Sequence, residues 1–126
     1  MMHILLVDDE KELVATLAER LSMRGIEADW ATTGEEALAY AASRTYDLAL
    51  LDIKMPRMGG LELKKKLHTL HPEMKFIFLT GHGSEEDFVT GASEAGADNY
   101  LIKPVNIQTL IAKISKALKE IPHSET

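Results

Sequence analysis

Five short apolar runs, each trailed by an amphipathic segment, set the narrowest limit on what this chain can fold into. The runs fall at 3–7, 26–31, 47–51, 75–79 and 99–102. Positions 4–7, 48–51 and 76–79 are apolar throughout instead of alternating, which is the pattern of strands covered on both faces. The second run is more polar and suits an edge. Between the runs the spacing turns helical. Leu13, Leu17 and Leu21 recur every four residues, and Gly25 supplies a C-terminal stop. Thr33-Gly34-Glu35-Glu36 reads as a capping box, after which Leu38, Ala41 and Ala42 face inward. Leu63, Leu67 and Leu70 mark a third helix ending before Pro72. Ser84 caps a fourth, which carries Phe88, Val89, Ala92 and Ala95 and stops at Gly96. Ile107, Leu110, Ile111, Ile114 and Leu118 form the cleanest stripe.

Strict alternation of this kind predicts an α/β fold, (βα)5, with a parallel sheet and right-handed crossovers. A doubly wound, flavodoxin-like order 2-1-3-4-5 puts the polar second strand at an edge. It also makes strands 1 and 3 neighbours at the topological switch point, where ligands bind. The 126 residues suit one domain with a real core, assigned to 1–121, with 122–126 as a tail. A net charge of −6 argues against direct nucleic-acid binding by this domain, since phosphate backbones attract basic surfaces. The lack of cysteine excludes disulfides, thiolate catalysis and Cys-based zinc sites. No apolar stretch approaches the roughly 20 residues that span a bilayer, and the N-terminus has no basic n-region. The expectation is a cytoplasmic protein without membrane contact.

Polar residues close four of the strands: Asp8 and Asp9, Asp52, Thr80 and Lys103. In a parallel sheet these ends converge on one edge. Three carboxylates there repel one another and suit a hard divalent cation, Mg2+. A lysine and a hydroxyl beside them suit a phosphoryl group. Taken singly, each residue has a plainer reading. Asp8 or Asp9 could cap the first helix, Thr80 could be a turn threonine, and Lys103 a surface lysine. Asp52 is harder to dismiss, because a loop, Ile53 to Gly60, follows it instead of a helix. Lys103 precedes Pro104, which holds it extended.

These residues resemble the receiver domain of two-component response regulators over nearly the whole chain. The matching pieces are LLVDDE (5–10), LLDIKMPRMGG (50–60), LTG (79–81) and GADNYLIKP (96–104). The D-x-x-M-P-x-M-x-G pattern at 52–60 is the most specific of them. The resemblance implies that Asp52 is the phosphoacceptor, taking a phosphoryl group from a histidine kinase or histidine phosphotransferase. It implies Mg2+ held by Asp8, Asp9, Asp52 and the Lys54 backbone carbonyl. Lys103 and Thr80 would read the phosphate, Tyr100 would be the switch aromatic, and the Lys103–Pro104 bond would be cis. The output surface would be the fourth helix, fifth strand and fifth helix. An effector domain or output protein and phosphorylation-dependent homodimerisation are partners the resemblance admits. Lys54 and His82, each two past a key residue, would tune the lifetime of the acyl phosphate. The resemblance implies a signalling module with self-catalysed transfer and autodephosphorylation, and not an enzyme in its own right.

Two other classes compete. A small Mg2+-dependent phosphatase of the haloacid dehalogenase type usually shows D-x-D-x-T after its first strand, where this chain has Asp8-Asp9-Glu10. A flavodoxin-like electron carrier needs a hydroxyl- and glycine-rich loop there, and three acids would repel the flavin phosphate. His68 and His71 read as helix-end histidines, Trp30 as edge packing, and Lys64-Lys65-Lys66 as a solvated face.

Overall fold

The computed structural model describes residues 2–81 and 100–119. Among these, five parallel strands form one sheet in the order β2-β1-β3-β4-β5, the predicted doubly wound arrangement. The strands are β1 (His3–Val7), β2 (Glu27–Ala31), β3 (Leu48–Asp52), β4 (Lys75–Thr80) and β5 (Tyr100–Ile102). Helices α1 (Lys11–Ser22), α2 (Gly34–Ser43) and α3 (Gly60–Leu70) follow the first three strands, and a C-terminal helix spans Ile107–Lys119. The expected fourth helix from Ser84 to Gly96, His82, Asn99 and the tail at 122–126 lie outside the described residues.

The continuous apolar runs have a simple cause. Along β1, Ile4 and Leu6 join Val14, Leu17, Leu21, Leu110 and Ile114 on one face of the sheet. Leu5 and Val7 point the other way, to Ala37, Ala41, Leu63 and Leu67. Both faces of the central strands are therefore buried, and each fully buried Leu or Ile contributes roughly 1.5–3 kcal/mol. β2, at the edge, has exposed or half-buried residues up to Ala31.

Two stripe assignments shift. Ala42 is exposed and the buried residues of α2 are Gly34, Ala37 and Ala41, with Leu38 half-buried. Leu70, the last residue of α3, is 48% exposed. The capping box forms: Thr33 Oγ1 accepts from the Glu36 N–H at 3.1 Å, while the Glu36 carboxylate accepts from the Thr32 N–H at 2.8 Å. Gly25 closes α1 at φ +81°, letting the Ile26 N–H reach back to the Leu21 carbonyl at 3.0 Å.

Two strands run one residue further than expected. Asp52 pairs with Leu79, and Thr80 pairs with Ile102. The Ile53 N–H to the Leu79 carbonyl and the Lys103 N–H to the Thr80 carbonyl, both 3.0 Å, extend the ladder past them. Asp52 and Thr80 thus sit on the last rungs of a rigid sheet.

Candidate functional site

The register assembles the acidic edge. Val7 lies opposite Leu51, so Asp8 and Asp52 end neighbouring strands side by side. Carboxylate oxygens of Asp8, Asp9 and Asp52 all lie within 4.8 Å of one another. Asp8 and Asp52 are buried, at 0% and 4% exposure, while Asp9 faces outward. Asp8 does not cap α1 in the usual sense: that position belongs to Glu10, whose side chain makes no cap bond. Asp8 Oδ1 instead accepts the Glu10 N–H at 2.9 Å, which fixes the chain as it enters the helix.

Lys103 enters from β5 and stands over this edge. Its Nζ is 2.8 Å from Asp8 Oδ2 and 3.5 Å from Asp52 Oδ2, and it donates to Glu10 Oε1 at 2.7 Å. The approach to Asp8 Oδ2 is close but out of alignment, leaving that buried oxygen with a charge beside it and no hydrogen bond. The Lys103–Pro104 peptide bond is cis. Thr80 is buried, and its hydroxyl makes a long 3.5 Å contact to the Gly81 carbonyl. Tyr100 is buried on the α2–α3 face with Phe76 and Phe78.

The loop after Asp52 is held closely. The Lys54 N–H donates to Asp52 Oδ1 at 3.3 Å and the Gly60 N–H to the Ile53 carbonyl at 3.0 Å. A Cβ at Gly60 would collide with the Asp52 carbonyl, and one at Gly34 with Met58. α3 therefore starts against the backbone of Asp52, and α2 starts against the loop. Arg57 has φ +69°, with the Met58 N–H closing a three-residue turn on the Pro56 carbonyl at 2.7 Å.

The electrostatics are those of crowded carboxylates. Burial, reinforced by the charge of Asp8, lifts the Asp52 carboxyl to about 7 against the pull of Lys103 and the Lys54 N–H. Burial also raises Asp8, with Lys103 and the Glu10 N–H opposing. Burial acts to lower Lys103, but Asp8, Glu10 and Asp52 outweigh it and hold the ammonium firmly charged. Three carboxylates share one lysine here. The oxygen-only donor set and the unsatisfied Asp8 Oδ2 fit a hard divalent cation.

The structure thus gathers Asp8, Asp9, Asp52 and Lys103 on one edge, with Thr80 ending the neighbouring strand and Tyr100 buried on β5 opposite Phe78. The sequence reading missed Glu10 as a partner of Lys103. The two lie 93 positions apart, and no local pattern ties a helix-entry glutamate to a distant lysine. His71, in contrast, sits at the far end of the sheet, its Nε2 2.7 Å from the Ala41 carbonyl, a structural contact.

The fold and this edge define a doubly wound α/β protein with an anionic, cation-ready centre at its switch point. The chain belongs to the response regulator receiver domain family of two-component systems, whose sequence model matches residues 4–115. It is 44% identical over 125 residues to the transcriptional regulatory protein CpxR of Klebsiella pneumoniae, covering 99% of this chain and 53% of that protein. The chain spans about half the length of the curated relatives it matches. A CheY-like receiver domain from Methanospirillum hungatei superposes with a TM-score of 0.86 at 40% identity, covering 100% of this chain and 99% of that one. A response regulator from Burkholderia pseudomallei, solved with a phosphorylated aspartic acid, a calcium ion and citrate, gives 0.80 at 30% identity, covering 100% and 74%. No helix among the described residues is long and apolar enough to cross a membrane.

Proposed function

We propose that this chain accepts a phosphoryl group on Asp52 from the phosphohistidine of a kinase or phosphotransferase and uses it as a reversible switch. The observation that carries the reading is the buried Asp52 carboxylate, ringed by Asp8 and Asp9 and faced by Lys103 at 3.5 Å. An Asp52 oxygen attacks phosphorus, the new O–P bond forms, and the P–N bond to the donor imidazole breaks with its electron pair returning to the ring. Hydrolysis reverses the mark. Water attacks phosphorus, the O–P bond breaks, and the Asp52 carboxylate and inorganic phosphate are released.

Asp8, Asp9, Asp52 and the Lys54 carbonyl would hold Mg2+. When bound, it neutralises the crowded carboxylates and the charge on the transferring group. Lys103 supplies a charged donor to one phosphate oxygen. The Thr80 hydroxyl, bound only weakly at 3.5 Å, is free to turn toward another. That movement would change the packing behind it at Tyr100 and shift the population of the output surface of fourth helix, β5 and C-terminal helix. The calcium-bound, phosphorylated relative supports this reading. So does the length of the curated relatives, which leaves room in such proteins for an output domain.

Incubation with Mg2+ and a small acyl phosphate tests it. One phosphoryl group per chain, lost on Asp52→Asn and on chelation, is the expected result. Rapid multiple turnover of donor would instead indicate a phosphatase, and no modification at all would overturn the reading.

A further inference from the structure

Lys103 has three N–H donors, and the one best-formed hydrogen bond they make is to Glu10, at 2.7 Å. The Glu10 side chain is 62% exposed, while that of Lys103 is 19% exposed and that of Asp8 fully buried. The backbone of Glu10 is pinned by its N–H on Asp8 Oδ1 at 2.9 Å, which aims its side chain across the edge. The lysine is thus held between Glu10 at the rim and the buried Asp8 at 2.8 Å, 3.5 Å from Asp52. We propose that Glu10 is a positioning residue that holds Lys103 at the rim and competes with a phosphoryl group on Asp52 for its ammonium.

This inference rests on the phosphoacceptor reading and adds a determinant of how tightly the mark is held. A phosphoryl group carries close to two negative charges and three strong acceptor oxygens. An exposed carboxylate offers a weaker, solvent-screened partner. The phosphoryl group can therefore share the lysine through its other donors, but Glu10 keeps drawing the ammonium away from it, and that pull is subtracted from its binding. Glu10 also adds a negative charge beside three carboxylates. Its two effects have opposite signs: it attracts the cation and opposes the phosphoryl group.

The opposition makes the role separable from simple charge. Binding of beryllium trifluoride in saturating Mg2+, and of Mg2+ alone, would be followed by amide NMR shifts. The proteins would be wild type, Glu10→Gln, Glu10→Asp and Glu12→Gln. Glu12 is an exposed acid in the first turn of α1 and controls for net charge. Glu10→Gln is expected to bind beryllofluoride about two- to fivefold tighter, the worth of one exposed, solvent-screened ion pair, and Mg2+ more weakly. Glu10→Asp keeps the charge but loses the reach. It should follow Glu10→Gln toward beryllofluoride and wild type toward Mg2+. Glu12→Gln should leave beryllofluoride binding unchanged. An equal gain in Glu12→Gln, wild-type beryllofluoride binding by Glu10→Asp, or no gain in Glu10→Gln would each overturn the inference. Failure of the wild-type chain itself to take up beryllofluoride would overturn the phosphoacceptor reading, and this inference with it.

Discussion

Asp52 must carry a charge in a place that resists one. Its carboxyl is lifted from the usual 3.8 to about 7, first by burial and then by Asp8. Between those values the folded chain keeps a proton that the unfolded chain has released. By linkage, the stability Asp52 contributes is full below about pH 4, falls as pH rises, and levels off above about 7. Asp8, raised for the same reason, tilts the curve the same way. Asp52→Asn should flatten much of that slope. Without divalent cation at pH 8 it should be more stable than wild type by about 1–3 kcal/mol, given roughly 1.4 kcal/mol for each pKa unit. Urea unfolding at pH 5 and pH 8 checks this, and an undiminished slope in the variant would show that Asp52 is not its source.

At the scale of elements, the helix starts place the site. The Thr33 cap fixes where α2 begins, and Thr33→Ala should cost about 1 kcal/mol in thermal or urea unfolding. The Thr33 hydroxyl accepts from the Glu36 N–H and bonds none of Asp8, Asp9 and Asp52, so phosphoryl uptake should survive that loss. Gly60 is different. Its missing side chain lets α3 begin against the Asp52 carbonyl, so Gly60→Ala forces helix and strand apart. A destabilisation of about 1–3 kcal/mol is expected, as for other overpacked sites. Phosphoryl uptake should fall with it, because the same backbone carries the acceptor. A Gly60→Ala protein of wild-type stability and uptake would show that the loop yields without moving Asp52. Arg57 holds φ +69° at the centre of a three-residue turn in the same loop, the strained form of that turn.

Over the whole molecule, the sheet works as a frame that brings like charges together and so stores repulsion at one edge. Anything that binds only the folded edge releases that repulsion. Mg2+ at ten times its dissociation constant should stabilise the chain by about 1.4 kcal/mol, with a matching rise in Tm. Sodium at equal ionic strength should not, and Asp52→Asn should lose most of the effect. An equal response to sodium would mean general screening and no specific site.

Local physics accounts for how much of this could be read in advance. Strands 1, 3 and 4 were legible because burial on both faces leaves no polar position. The α2 cap was legible because its partners lie three or four residues apart. The acidic edge followed from strand order alone, since parallel strands bring Asp8, Asp9 and Asp52 to one side whatever their side chains do. The fold, the edge and the residues on it therefore follow from local pattern and strand order. The tertiary structure alone decided that Asp52 and Thr80 lie within the ladder, and that Ala42 and Leu70 turn outward. It also lifted the Asp52 carboxyl toward neutrality and gave Lys103 to Glu10. Each of these depends on the distance and burial of groups far apart in the chain, and charges interact through space with no regard for sequence.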